Sequence, residues 1–416
     1  MNRGALSLVL TALALTPVPI AAQAESYFID QFAATADQRA MWQAGMDAFA
    51  RFAATDEFIG RRADQTDSAT REALDEHCLV SRQTCLVHIR NNRAAILTAL
   101  PSNPLYWQNF WALFEHNIGT HAGHEIHAQN LKLLEGMKWW YLRDLADDGQ
   151  LNLDQLMTVF EGLSFWLAEH HTMISRNIYR ALQIDMRDQI SFAMGQASRQ
   201  RDTDALRRLA AATQPIPPAA LSLGQIFWLE RDYARHNYQL ELDEDGTIDI
   251  EARLLDAPPD MDLSAARSLL EDPEGFVNRD LDILAQHYVP QSTMPWARYW
   301  REGITAVDES AFELPIYGAV IGPGYVSYIN SDRHAVFGQF LLQALADIYA
   351  GRVSPGLPAR PAPSLWRWQW VAEKPPKLCL VSDEIHAQTR LTQQRPFERK
   401  CVIYYDERMV ELLQIH

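Results

Sequence analysis

Residues 214–220 read QPIPPAA. Pro215, Pro217 and Pro218 fix their backbone angles and lack amide donors, so no helix runs through them. The character of the chain changes across this stretch. Before it, apolar residues recur at helical spacing; after it, helical segments mix with two-residue alternation. The expectation is a mainly α protein. A multi-helix N-terminal body, a bundle or an irregular solenoid, spans 25–213. A smaller mixed α+β region with short antiparallel strands spans 221–416.

Working back from the prolines, ASRQRDTDALRRLAAAT (197–213) ends in a short solvated helix. Helical pattern fills 152–197 with a break near His170, and Asn152 and Gln155 stand in a capping-box relationship. A helix is expected from about 122 to 146. Before it, Tyr106, Trp107, Phe110, Trp111 and Phe114 line one helix face. Pro101 stops the preceding helix, Ser102 or Asn103 caps the next, and Pro104 fits its first turn. Further helices are expected over 86–99, 69–77 and 36–55, the last with Met41, Trp42, Met46, Phe49 and Phe52 on a broad apolar face.

Working forward, YQLELDEDGTIDIEARLL (238–255) alternates on both sides of Asp245–Gly246, a hairpin signal. Segments 262–271 and 276–288 read as helices. SDRHAVFGQFLLQALADIYA (331–350) reads as a helix capped by Ser331 or Asp332, with Gly351 just past its end. Six prolines fall within 355–376. Inside that segment SLWRWQWVA alternates like a strand, and two more short strands surround Cys379 and Cys401.

The chain opens MNRGALSLVLTALALTPVPIAAQAESYF. A basic Arg3, an apolar core and a small-x-small AQA site read as a signal peptide, residues 1–24, cleaved after Ala24. The expected location is periplasmic or secreted. No later apolar run reaches spanning length, so no membrane-spanning segment is expected after signal removal. The formal net charge of −16 disfavours nucleic acid and anionic lipid as partners by bulk attraction. The four cysteines fall in two local pairs. In an oxidising compartment Cys78 with Cys85, and Cys379 with Cys401, are the simplest disulfides. A four-thiolate zinc site wants shorter spacings.

Chemistry concentrates in HNIGTHAGHEIHAQN (116–130). Imidazole and carboxylate are good transition-metal ligands. His121 and His124 lie at i and i+3, where side chains converge on one helix face. His171, with Glu169 and His170, can complete a metal set from another helix. A metal-free reading uses Glu115, His124 and Glu169 as acid–base groups for hydrolysis or lysis of a polysaccharide. The order fails both helical zinc signatures, however. His124-Glu125-Ile126-His127 puts the second histidine one residue early for His-Glu-x-x-His, and the inverse motif lacks its glutamate.

Other segments carry weaker signals. Trp366, Trp368 and Trp370 share one face if their segment is a strand, which would suit a glycan or a protein partner. The glycine-rich run 314–334 lacks the phosphate-loop lysine and the dinucleotide glycine spacing. The acidic run 241–249 lacks the EF-hand ligand order. No cofactor is assigned. The expected function is an exported soluble helical protein binding a protein partner or a cell-envelope component. The alternatives are a polysaccharide hydrolase or lyase, or a transition-metal binder, using the His/Glu cluster at 115–127 and 169–171. Whether the protein is an enzyme stays open on sequence alone.

Overall fold

The structure is a computed structural model of the chain. It describes residues 27–55, 82–116, 125–147, 152–168, 173–240, 279–308, 311–312, 322–351, 357–358, 360–363, 366–381, 399–406 and 409–410. Among them are twelve α-helices and one three-stranded antiparallel sheet, so the protein is mainly α with a small α+β C-terminal region. The expected helices 69–77 and 262–271 lie outside the described residues, as do residues 241–255 of the expected hairpin; its first residues, 238–240, are instead the end of a helix.

Helix α1 (Ala36–Ala54) starts with a capping box. Gln38 N donates to Thr35 Oγ1 at 3.2 Å, and Thr35 N donates to Gln38 Oε1 at 2.9 Å. Trp42, Phe49 and Phe52 are buried on its inner face. The helix expected over 86–99 is two, α2 (Arg82–Asn91) and α3 (Arg93–Ala99). Asn92 separates them, its side chain donating to the His88 carbonyl at 3.1 Å. Such a local bond competes with continued helix. Helix α4 (Pro104–Ala112) has Pro104 in its first turn and Asn103 as cap, with Leu105 N donating to Asn103 Oδ1 at 3.0 Å.

Helices α5 (Glu125–Asp147), α6 (Leu153–Ala168), α7 (Met173–Arg199) and α8 (Thr203–Ala212) complete the N-terminal half. Asn152 Oδ1 accepts from Asp154 N and Gln155 N, at 3.0 and 3.2 Å, and so caps α6. The reciprocal bond of a capping box is redirected: Gln155 Oε1 accepts from Trp140 Nε1, and Asn152 N donates to Asp144 Oδ2. The cap thereby ties α6 to α5.

The C-terminal half contributes α9 (Gly224–Leu240), α10 (Leu281–Ser292), α11 (Trp296–Glu302) and α12 (Gly322–Tyr349). Helix α12 corrects the sequence reading at its start. It begins nine residues before Ser331, at Gly322-Pro323-Gly324. Proline is tolerated there because first-turn amides have no intrahelical acceptor. Asp332 is consequently no cap. It lies in the middle of α12, 3% exposed. The far end behaves as expected, with Gly351 at φ +69° just beyond the last turn.

Strands β1 (Arg367–Val371), β2 (Lys377–Val381) and β3 (Arg399–Ile403) pair antiparallel in sequence order. Gln369 faces Cys379, which faces Cys401. The Cys379–Cys401 disulfide joins that register pair. Cys85 is fully buried and disulfide-bonded; Cys78 lies outside the described residues.

One continuous core runs from Ile29 to Val402, drawing on residues before and after the proline stretch. Its axis is α7 against α12, with the sheet packed on both. The prolines run across this core: Ile216 is buried, and its amide donates to Gln339 Oε1 of α12 at 2.9 Å.

The α7–α12 seam is unusually charged. Arg176 and Asp332 are both buried and approach to 3.0 Å. Arg180 Nη1 lies 3.5 Å from the same carboxylate. Arg333 Nη2 donates to the carbonyls of Ser292 and Met294, each at 2.6 Å, while its guanidinium sits over Trp296. Arg187 donates to the Ala335 carbonyl at 2.6 Å, and Lys400 to the His334 carbonyl at 3.2 Å. Each of these cations holds an acceptor on a neighbouring element, as buried charge requires. The seam is scaffold, and it fixes the relative placement of the two halves.

Candidate functional site

The sequence-derived candidates divide by what the structure describes. His121, His124, Glu169 and His171 lie outside the described residues. Glu115 is exposed at the end of a 3-10 turn, Leu113–Glu115, that follows α4. Trp166 Nε1 donates to the neighbouring His116 carbonyl at 2.8 Å. That bond draws the chain at 116 toward the C-terminal end of α6. Among the described residues, no group of three or more His, Cys, Asp or Glu side chains is placed to hold a metal.

The tryptophan stripe is buried at one end and half-buried along the rest. Strand β1 forms as the alternation implies, with Trp368 and Trp370 half-buried within it and Trp366 just before it. Trp366 is buried, its ring 5.1 Å from that of Trp300 and 4.4 Å from that of Phe337. Trp368 is half-buried and donates through Nε1 to the Arg360 carbonyl at 2.7 Å. Trp370 packs edge-on against Tyr404 at 5.2 Å. Trp366 thus anchors the start of the sheet on α11 and α12, burying its large apolar ring there.

A concave site lies elsewhere, among α3, α4 and α5. A cleft of about 370 Å³ is lined by Leu97, Leu100, Pro101, Ser102, Pro104, Trp107 and Arg143. Local chemistry builds each wall. Leu100 is extended, as a residue before proline must be, and ends α3. Trp107 Nε1 donates to the Pro101 carbonyl at 2.9 Å, pinning the 100–103 turn over the indole. Across the cleft, Arg93 of α3 donates through Nε to the Ala146 carbonyl near the end of α5. That bond clamps α5, and with it Arg143, beside the turn.

The Arg143 guanidinium sits over the Trp107 ring, 4.8 Å from the centroid. This cation–π contact fixes its position while leaving the edge donors available. Among the described residues Arg143 has no carboxylate or carbonyl partner. The adjacent carboxylate is engaged elsewhere: Asp144 Oδ2 accepts from Trp140 Nε1 at 3.0 Å and from Asn152 N at 3.1 Å. The Ser102 side chain is exposed and likewise has no hydrogen-bond partner among the described residues. The cleft edge is apolar, with Leu97 36% and neighbouring Leu105 55% exposed.

The cleft therefore offers one positioned cation, one hydroxyl and apolar walls. Its lining, among the described residues, is Leu97, Leu100, Pro101, Ser102, Pro104, Trp107 and Arg143. Sequence reading placed Trp107 on an apolar helix face and Ser102 at a helix boundary, but gave no signal for Arg143. That residue meets them only because α5 folds back along α3 and α4. Compared with protein-family models, curated proteins and solved structures, the chain matches none.

Proposed function

We propose that this chain is an exported binding protein that takes a small component of the cell envelope into the Leu97–Arg143 cleft. The observation that carries this reading is Arg143, held over Trp107 in a concave, apolar-walled site with no counter-charge among the described residues. A half-buried guanidinium in that position suits a ligand anion. The volume lies at the lower end of the range typical of small-molecule sites. Export is supported by the residue 1–24 pattern and fits the Cys379–Cys401 disulfide, since such bonds persist in oxidising compartments. The overall acidity of the chain does not oppose a local anion site. Its field is screened within about 8 Å at physiological salt.

The test is to produce the full chain with its leader in a bacterial export host and purify it under native conditions. Mass spectrometry of the intact protein then looks for a co-purified small molecule. Hydrogen exchange with and without that molecule maps its site. The expected result is protection confined to peptides covering 97–107 and 139–147. Protection centred on 115–127 and 169–171 would instead favour the His/Glu cluster and overturn this reading.

A further inference from the structure

Resting on the binding reading above, we infer that the ligand of the cleft is an amphipathic monocarboxylate, its head on Arg143 and Ser102 and its apolar body on Leu97, Leu100 and Pro104. Three features of the cleft select this chemistry.

The charge of the head follows from the donor set. Arg143 presents a planar fork that matches a carboxylate, and the Ser102 hydroxyl can donate one further bond. Among the described residues no second cation lines the cleft. The start of α4 does not add to the positive field through free amides. Pro104 has no N–H, Leu105 N donates to Asn103 Oδ1, and Tyr106 N donates to the Asn103 carbonyl at 3.1 Å. A doubly charged phosphate would bring more negative charge than this set can match. A single carboxylate is balanced by one guanidinium.

The body follows from the walls. Leu100 and Pro101 are buried beneath the cleft, and Leu97 and Pro104 stand at its edge. These side chains offer no hydrogen bond to a hydroxyl-rich ring. Trp107 cannot serve as a stacking platform either, because it is 8% exposed and its face carries Arg143. A sugar would lose water on both counts without replacement bonds. An alkyl or aryl body loses none.

The size follows from the volume. At roughly 30 Å³ per water-sized group, about 370 Å³ accommodates a molecule of about a dozen heavy atoms. A medium-chain fatty acid and the C-terminal residue of an apolar peptide, with its preceding carbonyl, both have this form.

Isothermal titration of the purified protein with octanoate, octanamide, octylamine and N-acetyl-Ala-Ala-Leu separates these possibilities. The acids are expected to bind at least tenfold more tightly than the amide or the amine. The better of octanoate and the peptide identifies the source. Arg143→Gln is expected to abolish the preference for acid over amide, and Arg143→Lys to retain it in weakened form. Circular dichroism and the melting temperature establish that both variants fold. Equal binding of octanoate and octanamide, or an undiminished preference in Arg143→Gln, overturns the carboxylate assignment. If all four probes are silent while a co-purified molecule still protects 97–107, the ligand class is wrong and the cleft stands. If octanoate binds with acid preference but its protection maps away from 97–107, the cleft reading itself falls.

Discussion

Asp332 illustrates how one residue can look like a cap in sequence and serve as a core counter-ion in the fold. Burial raises its carboxyl above the ordinary range, even with Arg176 and Arg180 beside it. Desolvation thus offsets much of the attraction, as is usual for buried pairs. Removing one partner is nevertheless costly, because Arg176 would remain buried without its carboxylate. Asp332→Asn is expected to lower stability by about 3–5 kcal/mol in urea denaturation. Replacing both, Arg176→Met with Asp332→Leu, is expected to recover most of that loss. A single-variant cost below about 1 kcal/mol would show that the pair is not buried as described.

Lys400 makes a second residue-scale statement, about pH. Burial, with Arg187 and Arg180 nearby, lowers its ammonium to about 7. In the unfolded chain it holds its proton to about 10.4. Between those values the unfolded state binds more protons, so stability rises with pH, and the full penalty remains below about 7. Lys400→Met removes the proton difference. The His334 carbonyl it leaves still has Arg187 Nη2 at 3.4 Å. Urea midpoints of this variant are expected to vary less between pH 7.5 and 9.5 than those of the parent, a window that stops short of tyrosine ionisation. An unchanged slope would mean that Lys400 titrates in the fold as it does in water.

At the scale of elements, periodicity and caps were informative where the cause is local. The Asn103–Pro104 start and Gly351 appear in the structure as their residue types imply, and Asn152 caps its helix although the reciprocal bond of its box is redirected. Two elements were misjudged because their cause is not periodic. The α2–α3 break coincides with local contacts of the Asn92 side chain to His88. The early start of α12 arises because Gly-Pro-Gly, read as turn chemistry, also fits a first helical turn. The strands around the last two cysteines were legible because alternation and cysteine placement agree. Their bond closes a separation of 22 residues, for which chain entropy gives about 3 kcal/mol. Cys379→Ala with Cys401→Ala is expected to lose about that much stability, with little change in the helical circular dichroism signal. Loss of the whole helical signal at neutral pH would instead show that the sheet nucleates the fold.

For the whole molecule, the change of pattern at QPIPPAA marks where the helical half ends, yet one core crosses it. Tyr179, Ile190 and Met194 of α7 are fully buried in that core, and Arg176 and Arg187 of the same helix meet partners on α12. A fragment ending at residue 213 would expose those groups. It is expected to lack a cooperative thermal transition, whereas the full chain melts in one; a fragment with its own sharp transition would establish two independent domains. The candidate site was legible only in part for a related reason. Ser102 and Trp107 stand near one another in sequence, but the arginine that gives the cleft its charge arrives from a helix whose packing no local pattern encodes. The account of function rests on that arrival. Its most direct test is a crystal structure of the protein grown with octanoate. Density for a carboxylate within hydrogen-bonding distance of Arg143, with the alkyl chain against Leu97 and Pro104, is the expected result. An empty cleft in which Arg143 is paired with an acidic side chain of the protein would contradict it.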